Sequence, residues 1–513
     1  MLTSSHIELI KYITNNQSVT LQKLTAHFQK SPAFVRNEIN LANQHLPAAC
    51  SITIKNSLVS TQMAYNDFLS FMHELSLETY APSVQERLHV MIVESYFRDF
   101  LNLTKLYDSW GISLTTKKSD IKQLEAYLAD SHLQVVRKPG TGIQITGNML
   151  HYRVLLIKII SECMDVYNFQ IAHRGANTPI EQSIYNCFQE HTSFLFIRAQ
   201  EAIKSFLEEY GHQINYYSKK FFILYVVLAL YPKQGHLLSI EQLKLEPLNL
   251  YLFPDRQENI AFNQVVSMID FDPAMPFPHH HELYHLVGKL AGKVQANIKT
   301  EIHTKLQVQE ELYAFVYRQY FFQHFHYKYE DKLVKETPKR YPFLYKTMQD
   351  AVHDVESYLG FSFNSEQLTS LTLIFSKWIS KNRLYGRNRK KIVLVTNVGF
   401  ERVTYFIEKL KDYIDFEHIA TIDVNELQVL QEYQFDLILS FSSRTSSILK
   451  KRGYDSIKLK FFVDNDDLIK LFDAGCSIAR RRILAKDLVA QLSEYTAQEQ
   501  AAYLIEHYET LFL

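Results

Sequence analysis

Cysteine is scarce in this chain of 513 residues, and its four copies, Cys50, Cys163, Cys187 and Cys476, stand far apart with no CxxC pair. That excludes a disulfide framework and a cysteine-based zinc site, and leaves four buried thiols as the expectation. Glycine (14) and proline (13) are also few, which disfavours turn-rich sandwiches and barrels and favours helices. No GxGxxG and no GxxxxGK[ST] occurs, so the fingerprints of dinucleotide and P-loop phosphate binding are missing. GTG at 140–142 precedes a strand pattern rather than a helix, and so reads as a hairpin turn. The longest apolar run, FFILYVVLALY at 221–231, has about half the ~20 residues a bilayer span needs, and reads as a core helix. The opening MLTSSHIELIKYI has neither the basic start nor the long apolar run of a signal peptide, so a cytoplasmic location is expected, with no membrane partner. Neither charge sign is in excess: Lys plus Arg equals Asp plus Glu at 55 each, which argues against a surface basic all over but not against a local basic face.

What the chain does contain is ordinary globular composition, long enough for roughly three to five domains, and an internal repeat. The segment LQKLTAHFQKSPAFVRNEINLANQHL at 21–46 overlays, 82 positions on and without a gap, the start of LTKLYDSWGISLTTKKSDIKQLEAYLADSHLQVVRKPGTGIQITG at 103–147. Leu21 meets Leu103, Lys23 meets Lys105, Leu24 meets Leu106 and Phe28 meets Trp110. Further on, Ser31 meets Ser113, Arg36 meets Lys118, Glu38 meets Asp120, Ile39 meets Ile121 and Leu46 meets Leu128. A repeat constrains the fold more than any single motif does.

Each copy reads as a helix-turn-helix. Leu103, Leu106 and Trp110 share one face of a short helix, and Gly111 marks its end. Ser113 is placed to cap a second helix whose apolar stripe is Ile121, Leu124 and Leu128. The remaining face offers Thr115, Thr116, Lys118 and Lys122, groups that can bond phosphates and base edges in a major groove. LQVVRK and GIQIT, separated by Pro139-Gly140, form a hairpin wing with Arg137 and Lys138 at its tip, well placed for backbone phosphates. In the first copy Ser31 caps, Pro32 takes the first helical position, and Phe34, Arg36, Asn37 and Asn40 follow, with SITIKNSLVST at 51–61 as its wing. Lys117 stands where such a helix commonly buries valine or isoleucine, and belongs to the expected contact set with Ser31 and Ser113. Lead-in helices are expected around His6, Ile7, Ile10 and Ile13, and over 87–101.

The run GTGIQITGNMLHYR at 140–153 resembles the junction in bacterial regulators where a winged helix passes into a regulation domain of the sugar phosphotransferase system (PTS). With the doubled helix-turn-helix, the whole chain resembles the Mga/AtxA-like virulence regulators of Gram-positive bacteria. The fold this implies is mainly α and multidomain. It comprises winged helices at 1–61 and 62–150, PTS-regulation-like helical bundles at 151–278 and 279–385, an α/β EIIB-like domain at 390–475 and a helical tail at 476–513. Helical periodicity at 154–166, 180–185, 193–210, 219–231, 306–325 and in SEQLTSLTLIFSKWIS agrees with the bundles. A basic linker, KNRLYGRNRKK at 381–391, precedes KIVLVT, FEHIATI and FDLILS, strands that alternate with helices (one at 424–432), as in a parallel sheet.

The resemblance further implies a DNA-binding activator that works as a homodimer, with PTS phosphocarrier proteins as partners and phosphorylation of bundle histidines as the control. The positions where related bundles carry histidine hold Ile374-Phe375 and Leu224-Tyr225, so the candidates for phosphorylation move to His212, His236, His324, His326 and His353. Thr396 occupies the place of the phosphorylated cysteine of true EIIB proteins, so no phosphocysteine chemistry is expected. HELYH at 281–285 is a literal H-E-x-x-H, but no third ligand with a supporting motif follows it, and it reads as a solvated helix start with incidental metal affinity. The reading is therefore a non-enzymatic regulator without metal or cofactor. Its rivals are an RNA-binding antiterminator, which would carry a short β-rich module where the repeat stands, and a zinc hydrolase using HELYH.

Overall fold

The computed structural model describes residues 1–232, 238, 240–272, 274–297, 305–327, 336–381, 390–479 and 500, and is mainly helical with a small parallel sheet. The first repeat copy comprises α1 (Ser4–Asn16), β1 (Ser18–Thr20), α2 (Leu21–Phe28), α3 (Pro32–Asn43), β2 (Ile52–Lys55) and β3 (Leu58–Thr61). Asn56 and Ser57, both with positive φ (48° and 65°), make the tight turn that matches strand twist and closes the hairpin. β1 pairs with β3, so this wing has three strands in the order β1-β3-β2.

The second copy follows as α4 (Tyr65–Glu74), α5 (Val84–Phe97), α6 (Leu103–Ser109), α7 (Leu114–Ala129), β4 (Leu133–Lys138) and β5 (Gly142–Gly147). α2 and α6 begin 82 positions apart, as do α3 and α7, so the gapless overlay is also an overlay of elements. It extends one step upstream. Val19 pairs with Val59 in the first copy, and Leu101, 82 positions after Val19, bridges Ile143 in the second. That bridge is why the lead-in helix expected over 87–101 ends at Phe97: Arg98 is extended so that Leu101 can exchange two backbone hydrogen bonds with Ile143 (2.8 and 3.0 Å). Gly142 is needed beside it, because a Cβ there would stand 2.1 Å from the Leu101 carbonyl oxygen.

The chain then runs through α8 (Met149–Cys163), β6 (Met164–Tyr167), β7 (Gln170–His173), α9 (Pro179–Thr192), α10 (Phe196–Tyr210), β8 (Gln213–Ile214), α11 (Tyr216–Leu230), α12 (Arg256–Val266) and β9 (Phe271–Asp272). Here the helix expected over 154–166 is corrected. It stops at Cys163, and Met164–Tyr167 pairs with Gln170–His173 around Asn168 and Phe169, which adopt positive φ. Ser193–Leu195, expected within a helix, is a 3₁₀ turn ahead of α10. The second helical stretch holds α13 (His281–Ala296), α14 (Lys305–His324), α15 (Thr337–Arg340), α16 (Pro342–Ala351), α17 (His353–Leu359) and α18 (Ser365–Lys381). One apolar core runs without a break from Leu2 through both repeat copies and both helical stretches to Trp378.

The α/β part contains β10 (Lys390–Val395), α19 (Phe400–Lys411), β11 (Ile414–Ile422), β12 (Leu437–Ser440), α20 (Ser443–Lys451), β13 (Ile457–Lys458), α21 (Asn465–Asp473) and β14 (Ser477–Ile478). Strand order is β13-β12-β10-β11-β14, all parallel except β14. Alternate residues of β10 supply two cores: Ile392 and Leu394 face one side with Leu439 and Phe416, Val393 and Val395 the other with Ile422 and Ile438. Three expectations are corrected. The helix at 424–432 is only a 3₁₀ turn, Leu427–Glu432, whose buried Leu427 and Leu430 stand three apart, the period of that tighter helix. Lys390 and Lys391 belong to β10 rather than to a linker, residues 382–389 lying outside the described ones. The tail at 476–513 begins with an edge strand rather than a helix; residues 480–499 and 501–513 lie outside the described ones.

Candidate nucleic-acid interface

Both second helices of the repeat start on a serine cap. The Ser31 hydroxyl accepts from the Phe34 N–H and that of Ser113 from the Thr116 N–H, each at 3.2 Å. The helices before them end alike. Gly111 and, 82 positions earlier, Gln29 both take left-handed φ (65° and 52°), which turns the chain sharply into the capped helix.

The turn fixes which face of each helix meets solvent. In α7, Leu124 and Leu128 are buried, while Thr115, Lys118 and Lys122, spaced three and four apart, are exposed along one face. In α3, Val35, Ile39 and Ala42 are buried, while Ser31, Phe34, Arg36, Asn37 and Asn40 are all exposed. Arg36 and Asn40 occupy the same places on α3 as Lys118 and Lys122 on α7. Lys30 adds a cation 5.4 Å from the exposed Phe34 ring.

Three of the expected contact cations have partners inside the protein. Lys117 is half-buried and donates to the Thr104 hydroxyl at 3.1 Å, tying α7 to α6 rather than joining the exposed row. Arg137 donates to Glu125 of α7 across 2.5 Å. Lys138 lies 4.9 Å from the Phe100 ring. Thr116 is half-buried and shares a hydroxyl contact with Ser113 at 2.9 Å.

Sequence reasoning missed the group that holds α7 in place. Asp120 is fully buried, accepts two hydrogen bonds from Arg87 of α5 and a third from the Tyr107 hydroxyl of α6, and so locks the three helices together. Burial and this carboxylate push the Tyr107 hydroxyl pKa well up. The signal was in the repeat, where Asp120 overlays Glu38, and Glu38 in turn lies 3.3 Å from the buried His6 of α1. Nearby, burial, with Lys158 adding to it, drives the pKa of His89 on α5 down to about 4.

The chain segment that builds the second unit has a known counterpart. Residues 74–158 match the Mga helix-turn-helix domain. The match spans α5 to α7, the β4–β5 hairpin and more than half of α8, so the capped α7 and its exposed cations lie inside the matched segment, whereas the first repeat copy lies outside it. No curated protein matches the chain.

The candidate histidines scatter. His212, after α10, packs edge-on against Phe271. His353 opens α17 and is largely exposed, 3.3 Å from Glu356. His326 is exposed, and His324, two residues earlier at the end of α14, lies beside Glu241 and His151. His236 lies outside the described residues. His281, Glu282 and His285 of the HELYH run are all exposed on α13, with His280 as the cap. Thr396 is buried at the carboxyl end of β10, its hydroxyl accepting from the Val398 N–H at 3.3 Å. No described helix is long and apolar enough to cross a membrane.

Proposed function

We propose that this protein is a transcription regulator that binds duplex DNA through two helix-turn-helix units. The observation that carries the reading is the repeated exposed row, Arg36 and Asn40 on α3, and Lys118 and Lys122 on α7, each on a serine-capped helix followed by a hairpin. The match of residues 74–158 to the Mga helix-turn-helix domain supports it for the second unit. Two units per chain and two chains per dimer would cover a long footprint, in which DNA shape and bendability contribute to selectivity.

The finer reading follows the Mga/AtxA-like resemblance: a cytoplasmic homodimer and virulence-type activator whose two helical stretches act as PTS-regulation-like bundles, tuned by phosphocarrier proteins. The parallel sheet, with its first strand central, is in keeping with an EIIB-like end. The hydroxyl of Thr396, buried and engaged with the backbone, is in keeping with an end without phosphocysteine chemistry.

The test is binding of the full chain to duplex DNA and to RNA of the same sequence at several salt concentrations. Duplex preference is expected. Arg36→Ala, Lys118→Ala and Lys122→Ala each remove one cation from the phosphates, and each is expected to flatten the slope of log K against log salt by about 0.9. Unchanged duplex affinity in the triple variant at physiological salt overturns the reading.

A further inference from the structure

We propose that His151, Glu241 and His324 form a binding site for one divalent transition-metal ion of the zinc type, which ties the second helix-turn-helix unit to the helical region. The three come from places far apart in the chain: the first turn of α8, the segment before α12, and the end of α14. One ligand atom from each lies within 4.8 Å of the others. His151 Nε2 stands 3.4 Å from one Glu241 oxygen and His324 Nε2 stands 3.5 Å from the other. Zinc holds nitrogen and oxygen ligands at roughly 2.0–2.2 Å, so neighbouring ligand atoms on a tetrahedral ion sit roughly 3.3–3.5 Å apart.

The second observation is a pair of orphaned nitrogens. His151 is 3% exposed, and its Nε2, like that of His324, is buried without a hydrogen-bond partner. Each of these nitrogens faces a Glu241 oxygen without hydrogen-bond geometry, an arrangement in which one cation can serve all three groups. A cation suits the donor set of two imidazoles and a carboxylate, the mix that zinc takes.

The surroundings are those of a built site. Asn148, the cap of α8, donates to Glu241 at 3.0 Å while accepting from the Leu150 N–H, so the carboxylate is oriented by the helix start. His132, in the turn between α7 and β4, lies edge-on to His151 with ring centroids 5.1 Å apart. The fourth position falls to water. An ion here therefore bonds α8 to α14 directly, next to the end of the helix that carries Lys118 and Lys122. This use of His324 differs from phosphorylation, since a metal-bound Nε2 is not free to accept a phosphoryl group.

The experiment is titration of the chelator-treated full chain with Co²⁺, read by its visible d–d absorption, followed by Zn²⁺ competition. One Co²⁺ per chain with a tetrahedral spectrum, displaced by Zn²⁺, is expected. Glu241→Gln keeps an acceptor for Asn148 and the side-chain shape, and His324→Gln alters a helix end. Each is expected to weaken Co²⁺ binding by more than the roughly 10–100-fold that loss of an outer partner costs. His281→Gln combined with His285→Gln is expected to leave binding unchanged. Zn²⁺ should raise the Tm of the wild type but not of Glu241→Gln. Absence of a tetrahedral spectrum, equal binding in the Glu241 and His324 variants, or loss of binding in the HELYH variant overturns the proposal.

Discussion

Arg87 of α5 grips Asp120 of α7 through two hydrogen bonds, 2.7 Å to one carboxylate oxygen and 3.0 Å to the other, both residues being buried. The pair decides how α7 presents its exposed face, because Tyr107 of α6 bonds the same carboxylate at 2.6 Å. Removing one partner of such a pair strands a buried charge. Asp120→Ala is expected to destabilise the chain by about 3–5 kcal/mol, measured by denaturant unfolding, and to weaken any duplex binding with it. Glu38→Gln, which loosens the single 3.3 Å contact to His6, is expected to cost about 1 kcal/mol or less.

Glu125 restrains a cation that the wing would otherwise offer. Both Arg137 and Glu125 are exposed, so their pair contributes little to stability. Glu125→Gln is expected to leave Tm within about a degree or two, consistent with a ±0.5 kcal/mol surface change, and to tighten duplex binding at low salt. The slope of log K against log salt should steepen by about 0.9 if Arg137 gains one phosphate. Arg137→Ala should reverse that gain in the Glu125→Gln chain and change little in the wild type.

Gly111 and Gln29 occupy equivalent left-handed positions, one with a residue made for it and one without. A Cβ at Gly111 would meet no atom within 4 Å, so Gly111→Ala tests backbone strain alone and is expected to cost about 1–2 kcal/mol. Gln29→Gly should stabilise the first unit, by less than about 1 kcal/mol because glycine also loosens the unfolded chain. Denaturant midpoints of the two variants should move in opposite directions.

His89 gives the second unit a pH dependence. Its folded pKa is about 4, below the ordinary 6.5, because the half-buried ring, packed near Tyr127, loses solvation and the charge of Lys158 adds to the effect. Above pH 6.5 the ring is neutral folded or unfolded, and the stability is complete. Between 6.5 and 4 only the unfolded chain takes the proton, so stability falls as pH falls, by up to about 1.4 kcal/mol per pH unit for this one site. His89→Gln should remove one proton's worth of slope from stability measured across that window.

Much of this architecture was legible because its signals are local. The serine caps, the apolar spacing of α7, the wing turn at Pro139-Gly140 and the strands of the α/β part all act within a few residues of where they are written. The repeat multiplied those signals, and α2, α3, α6 and α7 begin where the overlay puts them. Two helix ends were missed where a distant partner overrode local preference. Phe97 ends a helix because Leu101 must reach Ile143, and Cys163 ends another because Met164–Tyr167 pairs with Gln170–His173.

The candidate interface divides the same way. Periodicity alone fixed that Thr115, Lys118 and Lys122 share one side of a helix, as Arg36 and Asn40 do, because 3.6 residues per turn leaves no choice. Only the folded chain decided that Asp120, polar and on that helix, points inward to Arg87, and that Lys117 and Arg137 are engaged by Thr104 and Glu125. Only the folded chain, too, brought His151, Glu241 and His324 to one point, since no spacing rule links residues 90 and 83 positions apart. Local chemistry selects elements, whereas charges and ligands find their partners through packing, which no stretch of sequence carries by itself.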